Sequence, residues 1–248
     1  MDERVRKKLD RDFRNTLLGR LDEDDFALIS PHLVPVNLPL RHPLARANVV
    51  IEQVYFLETG VASVVTNSPS ENPIEIGVIG REGVVNVSAL LDSDQSPNDC
   101  HVQAAGHGHM VAVPIIRELM LRSAGLRVSL LNSVHVFMCQ TASTVLANGR
   151  GTVERRLARW LLMAHDRLEG DTVVLTHDFL GLMLGTRRAG VTVALQALDR
   201  RGVVERRRGR ITIVDRQALL DLAGDYYGTA EAEHARLFGD PKVHVRAG

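Results

Sequence analysis

Arg187 and Arg188, with Ala189 beside them and Thr192 and Gln196 on the same helical face, carry the chemistry that reads base edges. A guanidinium pairs with guanine O6 and N7, a glutamine amide with adenine N6 and N7, and an alanine methyl touches a thymine. Ten residues further on, Arg206, Arg207, Arg208 and Arg210 crowd around Gly209. That is a charge density suited to a phosphate backbone. Thr176 and Thr186 stand where each could cap one of two short helices, and they complete the candidate DNA-contact set. Other chemistry is poorly supplied. There is no GxSxG and no HExxH, and Gly80-Arg81-Glu82-Gly83 is not followed by the Gly-Lys-Ser/Thr of a phosphate loop, so no enzyme is expected. Cys100, His101, His107 and His109 lie near one another without a strong zinc spacing, so no metal is expected.

These side chains need a scaffold, and the surrounding pattern supplies one. Leu180, Met183 and Leu184 share one helical face, and Gly185 suits a tight turn. Val191, Leu195 and Leu198 then recur at i, i+4 and i+7, giving the second helix one buried stripe. Gly202 ends it, and Val203–Glu205 pairs with Ile211–Val214 around the arginines. The pattern predicts a winged helix-turn-helix, which lays its second helix in the major groove of double-stranded DNA.

Upstream the texture differs. Residues 1–30 read as helical. From Val34 to Val113 short β-rich runs alternate with turn residues: Val34–Leu40, Val49–Ile51, Tyr55–Glu58, Ala62–Thr66, Ile74–Ile79, His101–Ala105 and His109–Val113. Their spacing predicts a β-barrel or jelly roll. Ile115–Arg122 is predicted as a short helix and Leu126–Asn148 as a long one without Pro or Gly. Leu126, Leu130, Val134, Phe137, Thr141 and Val145 trace a near-heptad seam, which favours pairing with a second copy over packing on its own domain. Gly149-Arg150-Gly151 reads as a hinge, Thr152–Leu168 as a helix, and everything from Gly224 onward as weakly patterned. The fold class is therefore α+β. Residues 1–123 form a sensor roll with N-terminal helices, 124–149 a dimerisation helix, and 150–248 the winged helix-turn-helix domain.

At 248 residues with 45% hydrophobic content, the chain can bury two modest cores. Its formal net charge is zero, but arginine is concentrated between Arg150 and Arg216, and phosphate binding needs only a local basic patch. Two cysteines do not make a disulfide framework, the start MDERVRKKLDRDF lacks an apolar signal core, and no apolar run of membrane-spanning length is expected. A cytoplasmic protein without membrane contact is the expectation.

This order of parts, with VERRLARWLLMAHDR at 153–167, the segment 175–214, and PHLVPVNLPL, VYFLETGVASVV and IGVIGREGVV at 31–40, 54–65 and 76–85, resembles the Crp/Fnr family of bacterial transcription regulators. The resemblance implies a homodimer, a sensor roll like a cyclic-nucleotide-binding domain, and control of transcription, with RNA polymerase as a further partner. The family's recognition helix commonly reads Ser-Arg-Glu-Thr-Val-x-Arg. The matching residues run from Arg187 to Val193, keeping Arg188 and Val191 but placing Ala189 and Val193 where the family has Glu and Arg. The family's usual operator is therefore not implied, and Arg188 is the best base reader. The family's cyclic-nucleotide cassette needs Gly-Glu and then Arg-Ser-Ala. Here Gly83 precedes Val84, and Asn98-Asp99-Cys100 occupies the later position. No cofactor is expected and the effector is left open.

Two classes of function remain at this point: a DNA-binding regulator, or a sensor or protein-interaction module whose helix-turn-helix does not bind DNA. The missing cassette makes its own prediction. Cyclic AMP and cyclic GMP should bind more weakly than about 1 mM, because the cassette's Glu and Arg are both absent and the nearby Asp99 would repel the phosphate. Calorimetry giving a micromolar Kd for either would refute it.

Overall fold

The computed structural model describes residues 13–68, 71–175 and 177–239. The part of the predicted N-terminal helix at residues 1–12 lies outside them. Of residues 13–30, expected to be helical, Glu23–Ile29 form an α-helix and Leu18–Arg20 a single short 3-10 turn. Asp22 caps α1 (Glu23–Ile29) by accepting the Asp25 N–H at 2.7 Å, and Glu23, Asp24 and Asp25 fill the first turn, where the helix dipole favours negative charge.

Two antiparallel sheets follow. β1 (Val34–Leu38), β7 (Gly106–Ala112) and β3 (Gln53–Leu57) form one, in the order β1-β7-β3. β2 (Pro43–Ala45), β6 (Asp99–Ala104), β4 (Val61–Ser68) and β5 (Glu71–Ile79) form the other, in the order β2-β6-β4-β5. Leu38, Leu57, Ile79, Val85 and Val102 pack together and fill the roll. The run Val49–Ile51 is not a strand. Only Ile51 is buried, and Val50 makes a single bridge to Gln95. The unforeseen strand β2 lies at the sheet edge, where the missing N–H of Pro43 is tolerated.

α2 (Val113–Arg122) leads into α3 (Ala124–Arg150), capped by Ser123 Oγ accepting the Leu126 N–H at 3.0 Å. The helix runs through Gly149 and Arg150, so the predicted three-residue hinge shrinks to Gly151. Of the residues assigned to the intermolecular seam, Leu126 and Leu130 are 0% exposed and Val134 4%, because they pack with Val54, Phe56 and Val111 of the roll. Phe137 packs against the roll interior as well. That assignment is corrected: these four side chains already serve their own domain. A different row faces outward, at heptad-like spacing: Val128 (54% exposed), Leu131 (37%), His135, Met138 (62%), Ala142 and Val145 (68%). α3 is also long and apolar enough to cross a membrane, contrary to the sequence expectation. It buries Ser133, Gln140 and Thr144 on its own chain, however, as a core helix does.

α4 (Val153–Arg167), capped by Thr152, carries Leu157, Trp160, Leu161 and Ala164 into a third cluster. That cluster also takes in Val61 and Val78 of the roll. Near its centre sits Glu75 of β5. Trp160 Nε1–H donates to it at 2.8 Å and Gln103 Nε2–H at 3.2 Å, and the Ser63 hydroxyl also donates. Burial pushes the Glu75 carboxyl up to about 7, outweighing its hydrogen bonds and nearby Arg159. After α4 come β8 (Thr172–Val174), α5 (His177–Met183), α6 (Arg188–Arg200), β9 (Val204–Arg207), β10 (Arg210–Ile213) and α7 (Arg216–Ala223). Residues 240–248 lie outside the described residues, and within the rest of the end read as weakly patterned Thr229–Phe238 form α8, seated on α3. Its buried residues are Ala230 and His234, too small or too polar to mark an apolar face.

Because Glu75 holds its proton more tightly folded than unfolded, its contribution to stability is complete below pH about 4.5 and is lost as pH rises through about 7. The full loss is on the order of 3 kcal/mol. Glu75→Gln should flatten this dependence, with the thermal midpoint measured from pH 5 to 8 declining in the wild type and nearly level in the variant. Parallel curves would show that Glu75 is ionised in the folded chain throughout.

Candidate nucleic-acid interface

α5 and α6 are joined by a turn whose geometry is set by Gly185. Its φ of +55° lies where a side chain is strained. The Thr186 N–H donates to the Gly181 carbonyl at 2.9 Å, closing the two helices together. Thr186 is not the cap of α6. Arg187 occupies that position without a side-chain capping bond, so the helix begins one residue later than expected. Thr176, the proposed cap of the first helix, lies outside the described residues. At the far end of α6 the Val203 N–H donates to the Leu198 carbonyl at 3.0 Å and the Gly202 N–H to that of Asp199 at 2.9 Å. With Gly202 at φ +70° this is a complete Schellman stop.

Val191, Leu195 and Leu198 are fully buried against Leu180, Met183 and Leu184, which fixes the orientation of α6. Arg187, Arg188, Ala189 and Gln196 are exposed as a consequence. Thr192 lies among them, but its hydroxyl donates to the Arg188 carbonyl at 3.0 Å, which leaves its methyl as the outward-facing group. Arg156 of α4 supports the base of the motif, donating to the Leu184 carbonyl at 2.8 Å.

The wing is tighter than expected. β9 and β10 pair with Arg207 opposite Arg210, so the turn is the two residues Arg208-Gly209, and Arg206 and Arg207 belong to a strand. β8 completes the sheet on the other side of β10. The arginines divide into two groups. Arg206 Nε–H donates to Asp199 of α6 at 3.1 Å and is half-buried, so it braces the wing against the helix. Arg207 pairs with its neighbour Glu205 at 2.9 Å. Arg208 and Arg210 are exposed and form no ion pair among the described residues. Asp199 is a residue that sequence reasoning missed. An acid in the last turn of a basic helix, before an arginine hairpin, was the available signal.

The remaining sequence candidates do not converge. His107 and Thr59 share a contact at 3.0 Å, His109 lies 3.4 Å from Glu58, and His101 stacks edge-on to Phe179. Cys100 is buried, and burial with Asp99 nearby pushes its thiol up to about 12. Asp99 accepts the Ala47 N–H at 2.8 Å, so the acid in the segment that stands at the later cassette position is part of the roll's own framework. Among the described residues, no three His, Cys, Asp or Glu side chains gather as a metal site.

Residues 155–222 match the family model of the Crp-like helix-turn-helix domain. No curated protein matches the chain by sequence. Solved structures do match it. FixK2 from Bradyrhizobium japonicum is 17% identical with a TM-score of 0.68, covering 77% of this chain and 98% of its own. A Crp/Fnr-family transcriptional regulator from Thermus thermophilus is 17% identical with a TM-score of 0.59, covering 77% and 98%. The c-di-GMP-responsive global regulator CLP of Xanthomonas campestris is 15% identical with a TM-score of 0.62, covering 77% and 99%. At such identities the likeness is one of fold.

The division among the arginines is testable. Replacing Arg208 and Arg210 together with Ala should weaken binding to random duplex and lower the log–log salt slope by roughly 2, at about 0.9 per phosphate contact. Stability should not change. Arg206→Ala should instead cost about 1 kcal/mol of stability. Anisotropy titrations and thermal melts check both, and an unchanged salt slope in the double variant would remove the wing from the interface.

Proposed function

We propose, for a chain whose residues 155–222 match the Crp-like helix-turn-helix domain and 77% of which shares the fold of the Crp/Fnr regulators, that it is a homodimeric transcription regulator reading an inverted DNA repeat. The observation that carries this reading is the exposed row of α6, Arg187, Arg188, Ala189 and Gln196, opposite a fully buried face. Arg188 is the leading base reader, since it sits in the first turn of the second helix, where such motifs meet base edges. Gln196 follows two turns later. Arg208 and Arg210 serve the backbone, and Arg206 and Arg207 shape the wing.

The dimer is proposed to form through α3, along Val128, Leu131, His135, Met138, Ala142 and Val145. Of the seam read from sequence only Val145 stays in this set, with Thr141 at its margin. Exposed apolar side chains at alternating spacings of three and four residues are what a coiled-coil partner covers. Two copies then present two α6 helices to half-sites about one DNA turn apart, roughly 34 Å. Residues 1–123 act as the sensor part, 124–149 as the dimer helix and 150–248 as the DNA-binding part. The protein works without catalysis in the cytoplasm, where Cys100 and Cys139 remain thiols, and meets RNA polymerase at its promoters.

Selection of preferred duplexes from a random library tests the reading. The wild type should enrich an inverted repeat, and Arg188→Ala should lose about 1–3 kcal/mol on that site and little on random DNA. A motif unchanged at every position in the variant would make Arg188 a backbone contact. For the dimer, Leu131→Glu with Met138→Glu should give folded monomers by sedimentation that no longer retain the full repeat. A variant that still sediments as a dimer would place the interface elsewhere.

A further inference from the structure

A cavity of about 360 Å³ opens where the loop after β5 meets α3, α4, α7 and the C-terminal segment, away from the outward face of α6. Its volume falls within the range of small-molecule sites. Its polar wall is uneven in a way that points to a ligand. Every carboxylate lining it already has a donor. Arg167 Nε–H donates to Glu82 at 2.7 Å, and Arg216 Nη2–H to Asp166 at 2.6 Å. The Tyr227 hydroxyl donates to the second Asp166 oxygen, and Glu231 accepts the Gly228 N–H at 3.0 Å. Burial also raises the Glu231 carboxyl, against the lowering effect of Arg167.

The donors are not balanced in return. Arg81 lines the cavity, yet its guanidinium makes no hydrogen bond or ion pair among the described residues. Arg167 uses Nε on Glu82 and Nη1 on the Met163 carbonyl, and its Nη2 has no partner among the described residues. Val136, Leu220 and Ala230 supply an apolar wall. Unpaired guanidinium donors beside an apolar surface suit a molecule with a negative head and an apolar body. We propose that this cavity binds a small organic anion, a carboxylate or phosphate ester, with its head on Arg81 and Arg167 and its body against Val136 and Leu220. This reading does not depend on DNA binding.

Calorimetry on the full chain with phenyl phosphate, benzoate and the neutral benzyl alcohol tests it. At least one of the two anions should bind saturably with a Kd below about 1 mM, and benzyl alcohol at least tenfold more weakly. Arg81→Gln, which removes no existing contact and should melt like the wild type, should weaken the anion at least tenfold. Leu220→Trp should block it by filling the cavity. The Arg208→Ala, Arg210→Ala double variant should bind the anion as the wild type does. The proposal is overturned by equal binding of the alcohol, by unchanged affinity in Arg81→Gln, by loss of binding in the wing variant, or by no saturable binding of either anion up to about 10 mM.

Discussion

A single buried carboxylate constrains how the two halves of this chain meet. Glu75 projects from the roll into the cluster that Trp160, Leu161 and Met183 share with Val61 and Val78. An unsatisfied carboxyl there would cost several kcal/mol, so the cluster can close only if donors converge on it. They do, from both sides: Ser63 and Gln103 from the roll, Trp160 from α4. Apolar contacts tolerate sliding, whereas directional bonds in a low dielectric do not. The position of the winged helix relative to the roll is thereby specified. The approach of Ile74 to Gly185 carries that specification to the turn of the helix-turn-helix itself.

The long helix α3 carries the second constraint, because it has two apolar faces. Leu126, Leu130 and Val134 complete the roll. Gln140 then joins the helix to β5, its amide exchanging bonds of 2.7 and 3.0 Å with the Val78 backbone. Arg159 of α4 donates to the Gln140 carbonyl at 3.1 Å and to that of Tyr226 at 2.8 Å. Burial lowers its guanidinium to about 10, still charged at neutral pH. Roll, long helix, DNA-binding domain and C-terminal helix thus converge on a few polar side chains. The outer face of α3 is exposed at Val128, Leu131, Met138 and Val145, and His135 on that face pairs with Glu233 of α8 at 2.9 Å.

The helix-turn-helix was legible in the sequence because its information is local. Val191, Leu195 and Leu198 repeat at helical spacing, and Gly185 and Gly202 adopt the positive φ that only glycine takes readily. Which apolar face of α3 the roll covers was not legible. Periodicity reports that a face is apolar without saying what covers it, and the stronger stripe went to the roll. The edge strand β2 was hidden by a proline, and α8 by having Ala230 and His234 as its buried residues. The ties Arg206–Asp199 and Glu75–Trp160 were invisible for another reason. Each depends on a spatial meeting that charge counting along the chain does not reveal.

In the proposed complex two α6 helices enter successive major grooves on one side of a duplex. Hydroxyl-radical footprinting of a selected site measures this directly. Two protected patches per strand are expected, centred about one helical turn apart on the same face, with Arg188→Ala weakening both together. A single patch, or protection spread evenly around the duplex, would contradict this arrangement.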